Sequence, residues 1–443
     1  MVHSLNILTP RRIKELSKED FERILKRATI DITRIENRVR EIIEDVKRRG
    51  DEAIIEFYEK FYGRKVLSKE SIKVSKDEIN EAYNKVSEEF IEAIKVSAKN
   101  IEKFHRSQLP RDLWFLEISP GILVGQIWRP IDSVGIYVPG GRAAYPSTVL
   151  MTVIPAKVAR VPQITICTPP NPEGKINPYT LVALDIAGAR DIYKVGGAHA
   201  IAAMAYGTKT IPRVRKVIGP GGIWTTAAKI ILRDIIDIEF IAGPTEIVIL
   251  ADESANPKYI ARDLISQAEH DPNSSAILVT TSEEKAHEVS RLVNEIIKNC
   301  ARREIVIQSL KNYGAILIAN DLDEAIDFVN NYAPEHLELI IKEELILQTL
   351  NKIHNAGSIF IGNYTAVALG DYVLGTNHVL PTSMWAKRRG GLSILDFIKI
   401  IDIQYVNERG LYIVGKYGII MAEAEGLINH AEAIKVRLEN FES

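Results

Sequence analysis

Gln267 and His270 stand three residues apart in the segment ISQAEHDPNSS, at the end of a helix-like run from Tyr259 to Ala268. Asp271-Pro272 follows and forbids further helix. An amide oxygen and an imidazole nitrogen on one face of a final turn can bind a cation together, although such a pair also serves simply as polar surface. Three other segments have a similar texture. YAPEHLEL sets Glu335 beside His336 after a proline stop, and ALGDYVLGTNHVLPT carries Asp371 and His378 in loop-like sequence. EAEGLINHAEA brings Glu425 and His430 to the opening of the last helix. A lone histidine in any of these places is more often a hydrogen-bonded structural residue. The repetition of the pattern is what points to chemistry.

Loops that follow parallel strands converge on one edge of their sheet. If these segments converge, Gln267, His270, Asp371 and His430 supply two imidazole nitrogens and two oxygens, a set that suits Zn²⁺, with Mn²⁺ or Co²⁺ as alternatives. The neighbouring carboxylate and imidazole of Glu335 and His336 suit proton transfer near neutral pH. Neither H-E-x-x-H nor C-x-x-C occurs, so a common zinc hydrolase signature is absent. The two cysteines, Cys167 and Cys300, are too few for a disulfide framework or a cysteine-based zinc site and fit a reducing cytoplasm. Three glycine loops, VPGGRAAYPS, VGGAHA and GPGGIW, sit between strand and helix patterns, where backbone N–H groups can face a phosphate. None matches a dinucleotide or P-loop fingerprint, but three together favour a nucleotide-sized ligand at the carboxyl ends of strands.

The elements that must position these residues alternate between buried strand and helix. VGIYVP (134–139), QITICTPP, DIYKVGG (191–197) and RKVIGPGG (215–222) form one series; TEIVILAD (245–252), SAILVTTS (275–282), GAILIAND (314–321) and GSIFIGN (357–363) form a second. The fold class expected is α/β, with two similar incomplete Rossmann-like parallel-sheet units, an N-terminal helical region and a small C-terminal helical tail. The division expected is an arm over 1–30, a helical region over 31–133 packing with the second unit, a first unit over 134–244, a second unit over 245–388, and a tail over 389–443. The tail, with helix-like stretches Ala422–Leu427 and His430–Leu438, is too small to fold alone and must dock on its own chain or a partner's. A net charge of −2 leaves no footprint for nucleic acid or anionic lipid. No apolar run is long enough to span a bilayer, and MVHSLNILTPRRIKEL has no apolar core, so no signal peptide is expected.

Taken together, GIYVPGG…STVLMTVIPA, KVGGA…IAAMAYGT, AGPTEIVILAD, SQAEHDP, NYAPEHLEL, GDYVLGTNHVLPT and AEGLINHAEA resemble histidinol dehydrogenases, in order and spacing, along nearly the whole chain. The resemblance implies a cytoplasmic, homodimeric NAD⁺ and Zn²⁺ enzyme that oxidises L-histidinol to L-histidine through L-histidinal. It implies zinc held by Gln267, His270 and Asp371 of one subunit and His430 of the other, with the metal anchoring the substrate. It implies His336 as acid/base and Glu335 as the group that activates water. Thr245, His378 and Glu425 would line the substrate pocket with the metal ligands and His336, and Tyr137 and His199 would lie at the dinucleotide. Two positions depart from the family pattern: His199 stands where Gln is common, and Gly222 where Asn is usual.

Overall fold

The computed structural model describes residues 7–27, 31–140, 144–241 and 243–439. Gly141, Arg142 and Ala143 of the first glycine loop therefore lie outside the described residues. Two parallel sheets form the centre. The first contains, in chain order, Ser133–Tyr137, Gln163–Cys167, Asp191–Tyr193, Lys216–Ile218 and Asp237–Ile238, arranged laterally as third, second, first, fourth, fifth. The second contains Glu246–Ala251, Ser275–Thr280, Gly314–Ile318, His336–Ile340 and Ser358–Ile361 in the same lateral order. Strands such as Glu246–Ala251 and Ser275–Thr280 are buried along their whole length, because crossover helices cover both faces of a parallel sheet. This is why their sequence reads as unbroken apolar runs rather than as an alternation.

The N-terminal arm belongs to the second unit. Pro10–Arg12 adds a parallel strand beside Gly314–Ile318, and the helix Lys18–Lys26 seats Phe21 edge-on against Phe328. The region over 31–133, expected to pack with the second unit, meets it through hydrogen bonds from Ser97 and Asn100 to the carbonyls of Tyr372 and Val373, but lies mainly on the first unit. Its helix Glu36–Arg49 lies on Gly197–Tyr206 and Ile223–Leu232, Lys76–Tyr83 lies on Pro178–Ala187, and Glu88–Ser107 lies on Pro146–Val158. All of these partners belong to the first unit, whose helices are apolar nearly all round and need a second cover. The region also contains an antiparallel hairpin, Leu113–Ser119 with Ile122–Pro130, joined on its other edge by Ile398–Val406 from the tail.

The tail folds as two helices, Glu408–Ala424 and Ile428–Leu438, packed on each other. The break falls at Gly426, held at φ 73°, rather than between the two stretches marked by sequence pattern. Glycines obscured the first helix because they weaken helix propensity. They are needed for close approach: a Cβ on Gly415 would meet Leu438, and one on Gly418 would meet Ile434, both under 3 Å.

Candidate active site

The polar cluster gathers at the amino edge of the second sheet. Thr245 precedes the strand Glu246–Ala251, Glu335 precedes the adjacent strand His336–Ile340, and the two strands pair with His336 opposite Ile247. Gln267 lies in the last turn of the helix Pro257–Ala268, started by the Asn256 cap and Pro257 and anchored by Ile260, Ala261, Leu264 and Ile265. A turn in which Asp271 and Ser274 hydrogen-bond each other then carries the chain into Ser275–Thr280. The expectation that loops following strands would converge is thus corrected at these positions. A crossover helix leaves the carboxyl edge and returns to the amino edge, so helix ends and strand entries meet there. Asp371 is in a short helix, Val367–Tyr372, rather than a loop.

A relay of short hydrogen bonds joins three of the expected residues. The Gln267 amide nitrogen donates to Thr245 Oγ1 at 2.5 Å, and the Thr245 hydroxyl donates to Glu335 Oε2 at 2.6 Å. With its N–H spent on Thr245, the Gln267 amide leaves its oxygen for a cation. The Glu246 backbone N–H also donates to Glu335 Oε2, at 2.8 Å. Burial pushes the Glu335 carboxyl up to about 7, with the His336 charge and the Thr245 hydrogen bond opposing the rise.

His336 is oriented by the same residue. Its Nδ1 lies 2.9 Å from the Glu246 carbonyl, which can only accept, so Nδ1 carries a proton and the lone pair of the neutral ring sits on Nε2. That Nε2 is buried with no hydrogen-bond partner among the described residues, 3.9 Å from Asp371 Oδ1. His378 is held likewise, its Nδ1 2.9 Å from the Asp371 carbonyl. His270, on the solvent side, feels Asp371, His336 and Glu269 electrostatically. Gln267, His270, Asp371, His336, His378, Thr245 and Glu335 thus surround one space.

Glu425 and His430 do not join them within the chain. Both are exposed on the tail hairpin. Among the described residues no three of His, Cys, Asp and Glu stand close enough to hold a metal ion. The set at this edge instead offers one imidazole, one carboxylate and one amide oxygen, from His270, Asp371 and Gln267. Their chemistry fits zinc, which takes imidazole nitrogen and carboxylate or amide oxygen as ligands.

The glycine loops of the first unit, expected to face a dinucleotide, engage several of their own donors. The N–H groups of Gly196 and Gly197 donate to the hydroxyls of Tyr58 and Tyr137, at 2.8 and 3.2 Å, so the fold itself engages two donors that a phosphate could have used. Gly219 N–H goes to Glu239, whose carboxylate pairs with buried Lys229 at 2.8 Å. His199 is buried and stacked on Phe57, ring centroids 3.9 Å apart. Burial lowers its imidazole to about 4. Cys167 is fully buried and its thiol is raised by that burial, which leaves it no thiolate character for nucleophilic attack.

Sequence reasoning missed Tyr58 and Glu246. The signal for Glu246 was present: it is the one charged residue inside the run TEIVILA.

A histidinol dehydrogenase family model matches residues 25–438. This chain belongs to the histidinol dehydrogenase family. It is 48% identical over 429 residues to the histidinol dehydrogenase of Methanocaldococcus jannaschii, covering 97% of this chain and 98% of that one. It is 46% identical over 431 residues to that of Methanosarcina mazei, covering 97% and 98%. The crystal structure of histidinol dehydrogenase from Elizabethkingia anophelis superposes with a TM-score of 0.95 at 39% identity over 100% of both chains. The histidinol dehydrogenase family comprises NAD-dependent, zinc-containing oxidoreductases that catalyse the final steps of histidine biosynthesis. Among the described residues no helix is long and apolar enough to cross a membrane.

Proposed function

We propose that this chain oxidises L-histidinol to L-histidine through L-histidinal at the amino edge of the second sheet, with His336 and Glu335 moving the protons. The observation that carries the assignment of roles is the pairing of two differently prepared groups on the backbone of one residue. Glu246 holds the protonated Nδ1 of His336 and, through its N–H, a carboxyl of Glu335 raised to about 7. His336 Nε2, buried and unpaired among the described residues, is the base that takes the alcohol proton in each oxidation. Glu335, poised near neutrality, takes a proton from the water that adds to the aldehyde.

Gln267, His270 and Asp371 would hold the zinc, which when bound anchors the imidazole and amine of the substrate, while two NAD⁺ accept the electrons. Thr245 ties the Gln267 amide to Glu335, so the residue that holds the substrate and the residue that activates water share one hydrogen-bonded frame. His378, fixed at Nδ1 by the Asp371 carbonyl, would line the same space. Tyr137 and His199 would act on the dinucleotide from behind, as supports of the Gly196–Gly197 loop rather than as direct contacts.

The assay that tests the reading counts NADH per L-histidinol consumed, with and without a chelator. Two NADH per histidinol, lost on chelation and restored by Zn²⁺, are expected. One NADH per histidinol, or none, would overturn it.

We further infer a homodimer whose tail completes the site with His430 and Glu425 of the partner subunit. Support comes from apolar side chains left exposed on the tail and its sheet, among them Tyr412, Ile420, Met421, Ile400 and Tyr405. Mixing refolded D371A and H430A chains tests this. Each variant alone is inactive, and random pairing restores about one quarter of the activity, because half the dimers carry one intact site of two. No recovery on mixing would place His430 outside the shared site.

A further inference from the structure

One layer behind the relay stands a cation from the N-terminal arm. Arg27 follows the helix Lys18–Lys26, and its side chain is 3% exposed. One prong of its guanidinium donates to Glu246 Oε2 at 2.6 Å, and another donates to the carbonyl of Tyr332, whose ring lies 3.6 Å beneath the guanidinium. Glu246 begins one catalytic strand entry, and Tyr332 lies three residues before Glu335 on the other. Arg27 therefore bridges the two segments whose separation sets the distance from Thr245 and the Glu246 peptide to Glu335 and His336.

The other oxygen of Glu246 accepts the N–H of Ser383 at 2.8 Å. Three of the joined segments are bent into unfavourable backbone: Arg27 has φ 39°, Ala333 φ 53° and Ser383 φ 53°, all positive and none glycine. Such geometry persists only where surrounding contacts over-determine it. Stability alone gives a poor account of the pair. Burying a guanidinium and a carboxylate roughly breaks even against apolar replacement, and here Arg27 Nε is left with no hydrogen-bond partner among the described residues.

We propose that Arg27 and Glu246 are positioning residues of the active site, and that the N-terminal arm is thereby part of the catalytic unit. The inference rests on the histidinol reading above and extends it to residues that touch neither substrate nor metal. Arg27 sets the spacing of the two strand entries, and the Glu246 peptide passes that spacing to Glu335 and His336.

The test compares full-length R27K, R27M and R27M/E246Q with the parent, reading kcat, KM for L-histidinol and the thermal unfolding midpoint. R27K keeps the charge but not the fork, so it folds, and its kcat falls about 10-fold while KM stays within about threefold. R27M falls about 100-fold, because one strand entry is free to shift. R27M/E246Q removes the stranded charge and recovers the unfolding midpoint without recovering kcat. An R27K with parental kcat overturns the proposal. So does a double variant whose kcat returns along with its midpoint, since Arg27 would then only neutralise Glu246. A parent that forms no NADH from histidinol overturns this inference and the histidinol reading together, whereas a normal parent with a normal R27K overturns this inference alone.

Discussion

The two α/β units share one strand order and use it in opposite ways. In the first, the loops at the carboxyl edge carry the glycines, and several of their polar groups are turned inward: Tyr58 and Tyr137 take the N–H groups of Gly196 and Gly197, and Glu239 takes that of Gly219. In the second, the amino edge carries the ionisable side chains, and the backbone of one residue, Glu246, orients both Glu335 and His336. Topology therefore positions an edge but does not choose which edge works. The choice lies with side chains at strand entries and helix ends, where a buried carboxyl can be raised and an imidazole tautomer fixed. The first unit stiffens its loops; the second leaves a lone pair unspent.

The sharpest way to break this contrast is to remove the proton carriers proposed for the second unit. H336A should lower kcat by about 1,000-fold, since a positioned base is lost from both oxidations. E335Q should separate the steps: alcohol oxidation survives, water addition fails, and the yield drops from two NADH per histidinol toward one. The pH dependence gives the same separation in the parent. Glu335 must be unprotonated to act, so aldehyde oxidation slows as pH falls through about 7, and E335Q lacks that limb. Stopped-flow traces with L-histidinal as substrate measure both. An E335Q that still yields two NADH removes Glu335 from the water step.

How much of this was legible beforehand depended on whether the determinant was local. Strand runs such as SAILVTTS and the helix Glu283–Ile296 declare themselves through burial and period, and the site residues stand out as polar groups in segments unlike their surroundings. The edge on which they meet did not, because it depends on how far each crossover helix returns. The same applies to the helices over 31–133. Their apolar faces are readable, but nothing in Glu36–Arg49 says that the face belongs on Gly197–Tyr206. Arg27 is the extreme case: a basic residue at the end of a charged helix, whose buried partner lies 219 positions away.

The inward-turned character of the first unit makes a smaller prediction, on stability. His199 stacks on Phe57 with its imidazole lowered to about 4, whereas the unfolded chain titrates near 6.5. Between those values the unfolded chain binds a proton that the folded chain refuses, so stability falls as pH drops. From pH 7 to pH 5 the loss is about 2 kcal/mol, and H199Q, which cannot titrate, should lack it. Urea unfolding of both proteins at the two pH values measures the difference. Parallel curves would mean that His199 is protonated in place and that the loop is more open than its burial implies.

The smallest effect concerns a glycine of these loops that has both room to spare and a negative φ. Gly222 caps the helix Ile223–Leu232 at φ −70°, and a Cβ there would meet nothing within 4 Å. Asn, the residue that the resemblance led us to expect, is therefore free of steric cost, and its side-chain oxygen can accept a first-turn N–H while its amide faces outward. G222N should lower KM for NAD⁺ by about threefold, the worth of one added hydrogen bond, and leave kcat within about twofold. The split matters more than its size. A change in kcat of tenfold would mean that the first unit's loop reaches the chemistry itself, whereas an unaltered KM would move the dinucleotide away from the GPGG turn and leave that turn to Glu239 and Lys229.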